Sequence, residues 1–447
     1  MHNSETVSTL PKPQPQPQPS EEAPANALRI WAISEYYFPN FSGAAIQAHR
    51  ILGALVNRGH QVCVLTTADQ DAKVLAGKQV RVDGLQVKYL PVLRRFSWRW
   101  LPFGRSLVRS VNELFRRVSF DCRVLFHLMR HGRRNDIVQF YVVGELTRLV
   151  IAYANLRGMK PVIQISLCGA DDPLAIKSSF LGISSRLTKS CFFAVHRVIS
   201  LSSALLNSCR EFGLPDRQLQ QIPNGVDAQR FKGAEPETRD QICKRLKLDP
   251  QKQFVVFVGS AIHRKGIDVV IPAFIELAEY NPNVDLLIVG PCDFSDHTRH
   301  PIERKRLVDE LRKKLDRFHL ADRVHWVGEV EDVDLYLRVA SVFFFPTRRE
   351  GLPNALAEAM ASQLPAVASQ IEGVTTDLVT SGVHGILIDG YEPTQYAEAL
   401  REIFADDEKR HLMSRAARQR IEREFELSHI AARYEGLYNG LVGNECR

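Results

Sequence analysis

Two carboxylates with seven residues between them, Glu350 and Glu358, flank a segment that changes from turn-forming to helix-forming residues, Gly351-Leu352-Pro353-Asn354-Ala355-Leu356-Ala357. A helix start leaves backbone N–H groups free at the positive end of its dipole, which is a seat for phosphate. Gly351, Leu352 and Asn354 can donate there, whereas Pro353 has no N–H. A phosphate seat with a carboxylate on either side suits a nucleotide sugar, with Glu358 accepting from ribose hydroxyls and Glu350 facing the sugar. The plainer alternative is a buried α/β unit with Glu358 salt-bridged on a helix flank. Lys265 and Arg264 could neutralise a departing diphosphate, or could simply be solvated. Asp332-Val333-Asp334 has the D-x-D form that holds a divalent metal in some transferases. Aspartate is also favoured at helix starts, and capping is the role expected for this pair.

The elements that must hold these residues follow from apolar periodicity. Val342 to Phe345 reads as a strand buried on both faces. Residues 353 to 362 read as a helix, with Pro353 at its first position and Ala355, Leu356, Ala359 and Met360 on one face. Pro365 to Ala368 is the next strand. In such units ligands gather where strand ends meet helix starts. Phe254–Val258, Ile267–Tyr280 and Val284–Val289 predict strand, helix and strand. They set Lys265 and Arg264, in the loop from Gly259 to Gly266, at the edge where Glu350 lies. The first half opens the same way. A strand begins near Leu28, a loop holds Gly43, a helix covers Ala44 to Asn57 with Gly59 as its stop signal, and Gln61 to Thr67 is a strand. Further strands fall at Pro161–Leu167 and Arg197–Leu201. The first of these runs into a polar loop, Cys168-Gly169-Ala170-Asp171-Asp172-Pro173. Between the halves, Ile222 to Asp227 contains Pro and Asn-Gly and predicts a turn. The first loop lacks G-x-G-x-x-G and the chain has no G-x-x-x-x-G-K-[ST], which excludes a nicotinamide-type fingerprint and a P-loop.

Composition limits the class. A chain of 447 residues exceeds what one core usually supports, so two domains are expected. Eight cysteines without a C-x-x-C pair argue against a zinc site or disulfide framework and for a reducing, cytoplasmic setting. No apolar stretch after Met1 reads as a signal peptide, and no uncharged apolar run is long enough to predict a membrane span. Residues 1–27 are a Pro/Gln-rich tail expected to be disordered. The net charge is +7, yet the eleven arginines between Leu93 and Arg134 face only Glu113 and Asp121 there, so this segment carries +9 and everything else about −2. Its arginines interleave with Phe96, Trp98, Trp100, Phe103, Phe115, Phe120 and Phe126. Such a segment suits a helical face packed on the domain with its arginines solvated, an anionic membrane surface, or nucleic acid. Nucleic acid is the least expected, because no matching recognition signature is present.

With those pieces placed, the chain resembles a retaining glycosyltransferase of family 4, over about Leu28 to Leu441. PTRREGLPNALAEAMASQLPAVAS, IPNGVD with Phe231 after it, VGSAIHRKGID and RVHWVGEV carry the likeness. The resemblance implies an α/β GT-B fold: two facing Rossmann-like, doubly wound parallel-sheet domains with a cleft between them. It implies an N-terminal acceptor-binding domain at 28–221, a nucleotide-sugar-binding domain at 222–426, and a C-terminal helix at 427–447 crossing back onto the first. Glu350 and Glu358 fall on the family's paired glutamates and Lys265 on its diphosphate-binding lysine. Gly43 falls in a glycine loop facing the donor, and the backbone near Val327 would meet the nucleobase. The implied reaction is transfer of a hexose from a nucleoside diphosphate sugar to a hydroxyl of a carbohydrate or lipid-linked acceptor, with retention. No metal or other cofactor is implied, because Lys265, Arg264 and the amides of Gly351, Leu352 and Asn354 would stabilise the leaving diphosphate. The sequence departs from the family at Ser260, where an arginine is common, at Cys168, where a histidine is common, and at Ser42, where a second glycine is common. The role of that histidine would pass to Asp171 or Asp172. Ser260 and Cys168 also leave open a relative that binds nucleotide sugar without turnover, as a partner or regulatory subunit.

Overall fold

Short apolar runs bounded by turn residues can be buried on both faces only if helices cover both sides of a sheet. Both halves of the chain are built this way. The computed structural model describes residues 27–35, 37, 43–67, 76–92, 105–144, 146–169, 172–175, 183–232, 236–292 and 301–443.

Among these, the first lobe has strands β1 (Arg29–Ile33), β2 (Gln61–Thr67), β3 (Gln79–Val82), β4 (Leu85–Leu90), β5 (Ile137–Phe140), β6 (Lys160–Ile165), β7 (Arg197–Ser200) and β8 (Leu219–Gln221). They form one sheet in the order β3-β4-β2-β1-β5-β6-β7-β8. All neighbours are parallel except β3 and β4. That hairpin turns on Asp83 and Gly84, both with positive φ, 46° and 82°. Aspartate followed by glycine is a sequence signal for such a two-residue turn. The second lobe has β9 (Gln253–Val258), β10 (Val284–Val289), β11 (Val324–Gly328), β12 (Val342–Phe345), β13 (Ala366–Ser369) and β14 (Gly385–Ile388). Its order is β11-β10-β9-β12-β13-β14, parallel throughout. In each lobe the order reverses beside the first strand, which opens a crevice at the carboxyl ends of the strands.

The chain crosses between lobes at Ile222–Val226, and the turn expected there is instead an extended, buried crossing. Val226 N–H donates to the carbonyl of Phe425 at 2.9 Å, and Leu427 N–H donates to the carbonyl of Val226 at 3.0 Å. A Cβ on Gly225 would sit 2.8 Å from Leu427 Cδ1. Glycine is present here for close chain approach, not for a reversal of direction.

After this crossing the helix Leu427–Gly443 returns to the first lobe. Ile430, Tyr434, Tyr438 and Leu441 share a core with Ile30, Ile51, Leu52 and Leu55. Tyr434 Oη donates to Gln164 Oε1 at 2.9 Å, and Tyr438 Oη bonds Gln139, so both phenols reach polar side chains inside the sheet. Burial of aromatic rings with satisfied hydroxyls is strongly stabilising. Tyr434→Ala is expected to cost about 3–5 kcal/mol and Tyr434→Phe about 1 kcal/mol. Loss of hydrogen-exchange protection in β5 and β6, greater for alanine than for phenylalanine, would register the difference.

Candidate active site

The site is built where β9 and β12, adjacent in the sheet, both end. After β9 the chain turns through His263–Lys265 into Gly266, whose φ is 81°. Only glycine tolerates that backbone together with its surroundings, since a Cβ would lie 2.0 Å from the carbonyl oxygen of Pro346. The loop after β12 is stitched to this turn: Arg348 N–H donates to the carbonyl of Arg264 at 2.9 Å, and Thr347 Oγ1 lies 3.3 Å from the same oxygen. Arg348 also forms a two-bond contact with Asp268, at 2.9 and 2.8 Å, and stacks 4.7 Å over Tyr391.

This stitching brings three sequence-selected groups together. Glu350 Oε1 accepts from Lys265 Nζ at 2.6 Å, from Thr347 Oγ1 at 2.9 Å and from Arg264 Nη1 at 3.4 Å. Arg264 also donates to the carbonyl of Arg349 at 2.8 Å. Glu350 is 8% exposed, so its charge is held by these donors and not by bulk water. Lys265 Nζ also lies 5.5 Å over the Phe345 ring. Ser260 lies in the same loop just after β9, where its carbonyl accepts Ile262 N–H at 2.8 Å.

The helix after the loop is Asn354–Ala361. Pro353, expected as its first residue, lies just before it with φ −76° and ψ 108°, and its carbonyl accepts Ala357 N–H at 3.2 Å. The shift of one residue follows from that extended ψ. No backbone carbonyl among the described residues receives the N–H of Gly351, Leu352 or Asn354. Gly351 packs so tightly that a Cβ would be 1.8 Å from the carbonyl oxygen of Ser166, at the end of β6 in the first lobe. Asn354 links the lobes again, donating to the carbonyl of Gly43 at 3.1 Å and accepting from Asn224 at 2.7 Å. Gly43 therefore opens the first helix, Gly43–Asn57, directly against the site helix. Glu358 is buried and accepts from Arg50 Nη1 at 2.6 Å. Val327 lies in β11, two strands from β9, with its end at the same rim.

Asp171 lies outside the described residues. Its neighbour Asp172 is spent on its own loop, accepting from Gly169 N–H at 2.5 Å, Ala175 N–H at 3.0 Å and Ser208 Oγ at 2.9 Å. Burial, then the Asp172 charge, pushes the Cys168 thiol up to about 11, which keeps it protonated at neutral pH. Asp332 stands at the start of Val333–Val339 but makes no capping bond; it lies 3.4 Å from Arg245, and Asp334 lies 3.4 Å from Arg230. Capping, expected from the sequence, has given way to ion pairing with the helix and linker that cross in front of it. No cluster of three His, Cys, Asp or Glu that could hold a metal occurs among the described residues. Thr347, Arg348, Arg50 and Asn224 were not singled out by sequence. Only Arg50 left a local trace, lying on the helical face of Gly43 at i+7.

The match to known proteins follows the same division. Residues 42–225 match the model described as "Glycosyl transferase 4-like domain", and residues 238–420 the one described as "Glycosyl transferases group 1". With the fold and this junction, the chain belongs to the GT-B glycosyltransferases and is a glycosyltransferase. It is 29% identical to a lipopolysaccharide core biosynthesis mannosyltransferase, LpsB, of Rhizobium meliloti over 83% of this chain and 99% of that one. It is 28% identical to an alpha-maltose-1-phosphate synthase of Mycobacterium tuberculosis, over 57% of this chain and 66% of that one. The fold resembles that of the Anabaena HepE protein in complex with UDP and glucose, with TM-score 0.70 at 18% identity, covering 92% and 99% of the two chains. It also resembles a sucrose-phosphate synthase from Thermosynechococcus elongatus, with TM-score 0.71 at 19% identity, covering 93% and 100%.

The Gly351 contact gives a direct expectation. Gly351→Ala should push the end of β6 away from the site loop and loosen interlobe docking. An increased radius of gyration in small-angle scattering would report it, and a profile identical to the parent protein would show that the loop absorbs the extra carbon.

Proposed function

We propose that this chain is a retaining, family 4 hexosyltransferase. It moves a hexose from a nucleoside diphosphate sugar to a hydroxyl of a carbohydrate or lipid-linked acceptor, in polysaccharide or glycolipid assembly. The observation that carries the reading is the convergence of Lys265, Arg264 and Glu350 at the start of the helix bearing Glu358. Cations and uncommitted amides lie where a diphosphate would gather charge on leaving, and a carboxylate lies beside them for the sugar. The name of the Rhizobium relative, a lipopolysaccharide core mannosyltransferase, agrees with such an acceptor class.

In this mechanism the Lys265 ammonium exchanges part of its contact with Glu350 for a phosphate oxygen. The amides of Gly351, Leu352 and Asn354 and the Arg264 guanidinium share the developing charge. Fixed donors of this kind contribute about 10²–10³ in rate each. Glu350 then turns toward sugar hydroxyls and the oxocarbenium-like centre, and Glu358 takes the ribose. No carboxylate among these groups is assigned as a nucleophile, so a front-face displacement, with incoming hydroxyl and leaving phosphate on one side, is the path proposed. Positive charge from the chain itself fills the role a metal plays elsewhere, and turnover is expected to survive chelator.

Lys265→Ala should lower kcat/KM by about 10²–10³ with the protein still folded; a variant as active as the parent would remove lysine from the diphosphate seat. Release of nucleoside diphosphate from UDP-, GDP- and ADP-sugars identifies the donor, and the anomeric proton coupling of the product reads retention or inversion.

We also propose that the protein acts at the cytoplasmic face of an anionic membrane. The helix Arg105–His131 carries exposed Phe115, Phe126 and Met129 on one face, with exposed Arg123 and Arg130 beside them. Aromatic and basic residues paired along one face suit the lipid interface. Residues 93–104, the other part of the basic segment, lie outside the described residues. No described helix is long and apolar enough to cross a membrane. Flotation with phosphatidylglycerol vesicles should fall when Arg123 and Arg130 are both changed to Glu, and equal recovery of both proteins would locate the contact elsewhere.

A further inference from the structure

The first helix meets the second lobe through a single face. Gly43, Gln47 and Arg50 follow one another at i, i+4 and i+7, the spacing that stacks side chains along one side of a helix. Each of the three has its own target. The Gly43 carbonyl accepts from Asn354, Gln47 Nε2 donates to the carbonyl of Gly225 at 2.7 Å, and Arg50 Nη1 donates to Glu358 Oε1 at 2.6 Å. The targets are the start of the site helix, the interlobe crossing and the site helix one turn further on. Arg50 is itself fixed, since its guanidinium lies 5.7 Å over the ring of Phe231, just beyond the crossing.

The geometry at Glu358 is one-sided. Arg50 engages Oε1 alone, and Oε2 takes no hydrogen bond from any described residue. Both side chains are largely shielded, at 18% and 11% exposure, so the charge-assisted bond is only weakly screened. A glutamate held by one oxygen loses most of its side-chain freedom before any ligand arrives. Its second oxygen is then presented in a fixed direction.

We propose that Arg50 is a positioning residue for the nucleotide: by holding Oε1 of Glu358 it aims Oε2 at the ribose hydroxyls of the donor. This rests on the reading of Glu358 as the ribose acceptor. It adds that one part of the nucleotide seat is completed from the opposite lobe, so affinity for the ribose depends on the lobes being docked. A strut that merely joined the lobes would alter the binding of every nucleotide alike. A positioning group alters only the part of the affinity that comes from the ribose hydroxyls.

The experiment separates the two. Binding of UDP, GDP and ADP is measured by calorimetry, and the tightest is compared with its own 2′-deoxy and 3′-deoxy counterparts. The proteins are the parent, Arg50→Gln, Arg50→Lys and Glu358→Gln. A hydrogen bond to a carboxylate corresponds to a preference for the ribose form of about tenfold or more in the parent. Arg50→Gln is expected to erase most of that preference while binding of the deoxy forms changes less than about twofold, and Arg50→Lys, still able to reach Oε1, is expected to restore it. Unchanged deoxy binding also serves as the check that Arg50→Gln is folded. Equal weakening of ribose and deoxy forms by Arg50→Gln, or no change in either, overturns the proposal. A preference that survives Glu358→Gln shows instead that Glu358 does not read the ribose, so the underlying reading fails and the proposal with it.

Discussion

A lysine and a glutamate held 2.6 Å apart in a largely water-excluded junction set the terms for the rest of this protein. Neither charge could remain there alone, because an unpaired buried ion costs several kcal/mol. The pair therefore requires the two loops that carry it to meet, and the loops meet only because Gly266 adopts a left-handed backbone against Pro346. Arg348 and Asp268 reinforce the same seam. β9 and β12 must consequently be neighbours, which the order of the second sheet provides. The junction thereby holds its charge as a matched pair, with Lys265 and Glu350 each stabilising the other.

The first lobe completes this junction from outside. Ser166 closes over Gly351, the Gly43 carbonyl accepts from Asn354, and Arg50 donates to Glu358. Each contact falls on the helix start or one turn beyond it. The helix that bears Glu358 thus belongs in sequence to one lobe and in environment to both. These contacts support a helix of only eight residues, a length that is marginal in isolation.

What could be read from sequence was whatever is encoded locally. β2, β10, β12 and the helix Ile267–Tyr280 have the bounds that their apolar runs and flanking glycines predict. Glu350 and Lys265 could be placed at one edge because each follows a buried strand and precedes a helix. The pairing of Glu358 with Arg50 joins residues 308 apart, and no periodicity reports a contact of that range. Asn224-Gly225 misled for a related reason. Its composition is that of a turn, but its glycine is there for the passage of Leu427 and its asparagine for Asn354. The Asp83-Gly84 hairpin carries a local turn signal, an Asp-Gly pair between two short strands that the sequence expectations do not include. Asp332 does not cap because its backbone, φ −97° and ψ 49°, departs from the extended form a cap needs, and its carboxylate lies 3.4 Å from Arg245, distant in sequence.

The return of the C-terminal helix has a consequence for how the protein is made. Tyr434 and Tyr438 fill the face of a sheet whose strands all lie before residue 222. A ribosome that has delivered the whole first half has therefore delivered a lobe with one wall missing. That nascent lobe must wait, with Gln139 and Gln164 unsealed, for the final seventeen-residue helix to emerge. The first lobe, although translated first, can close its core only after the second has been synthesised.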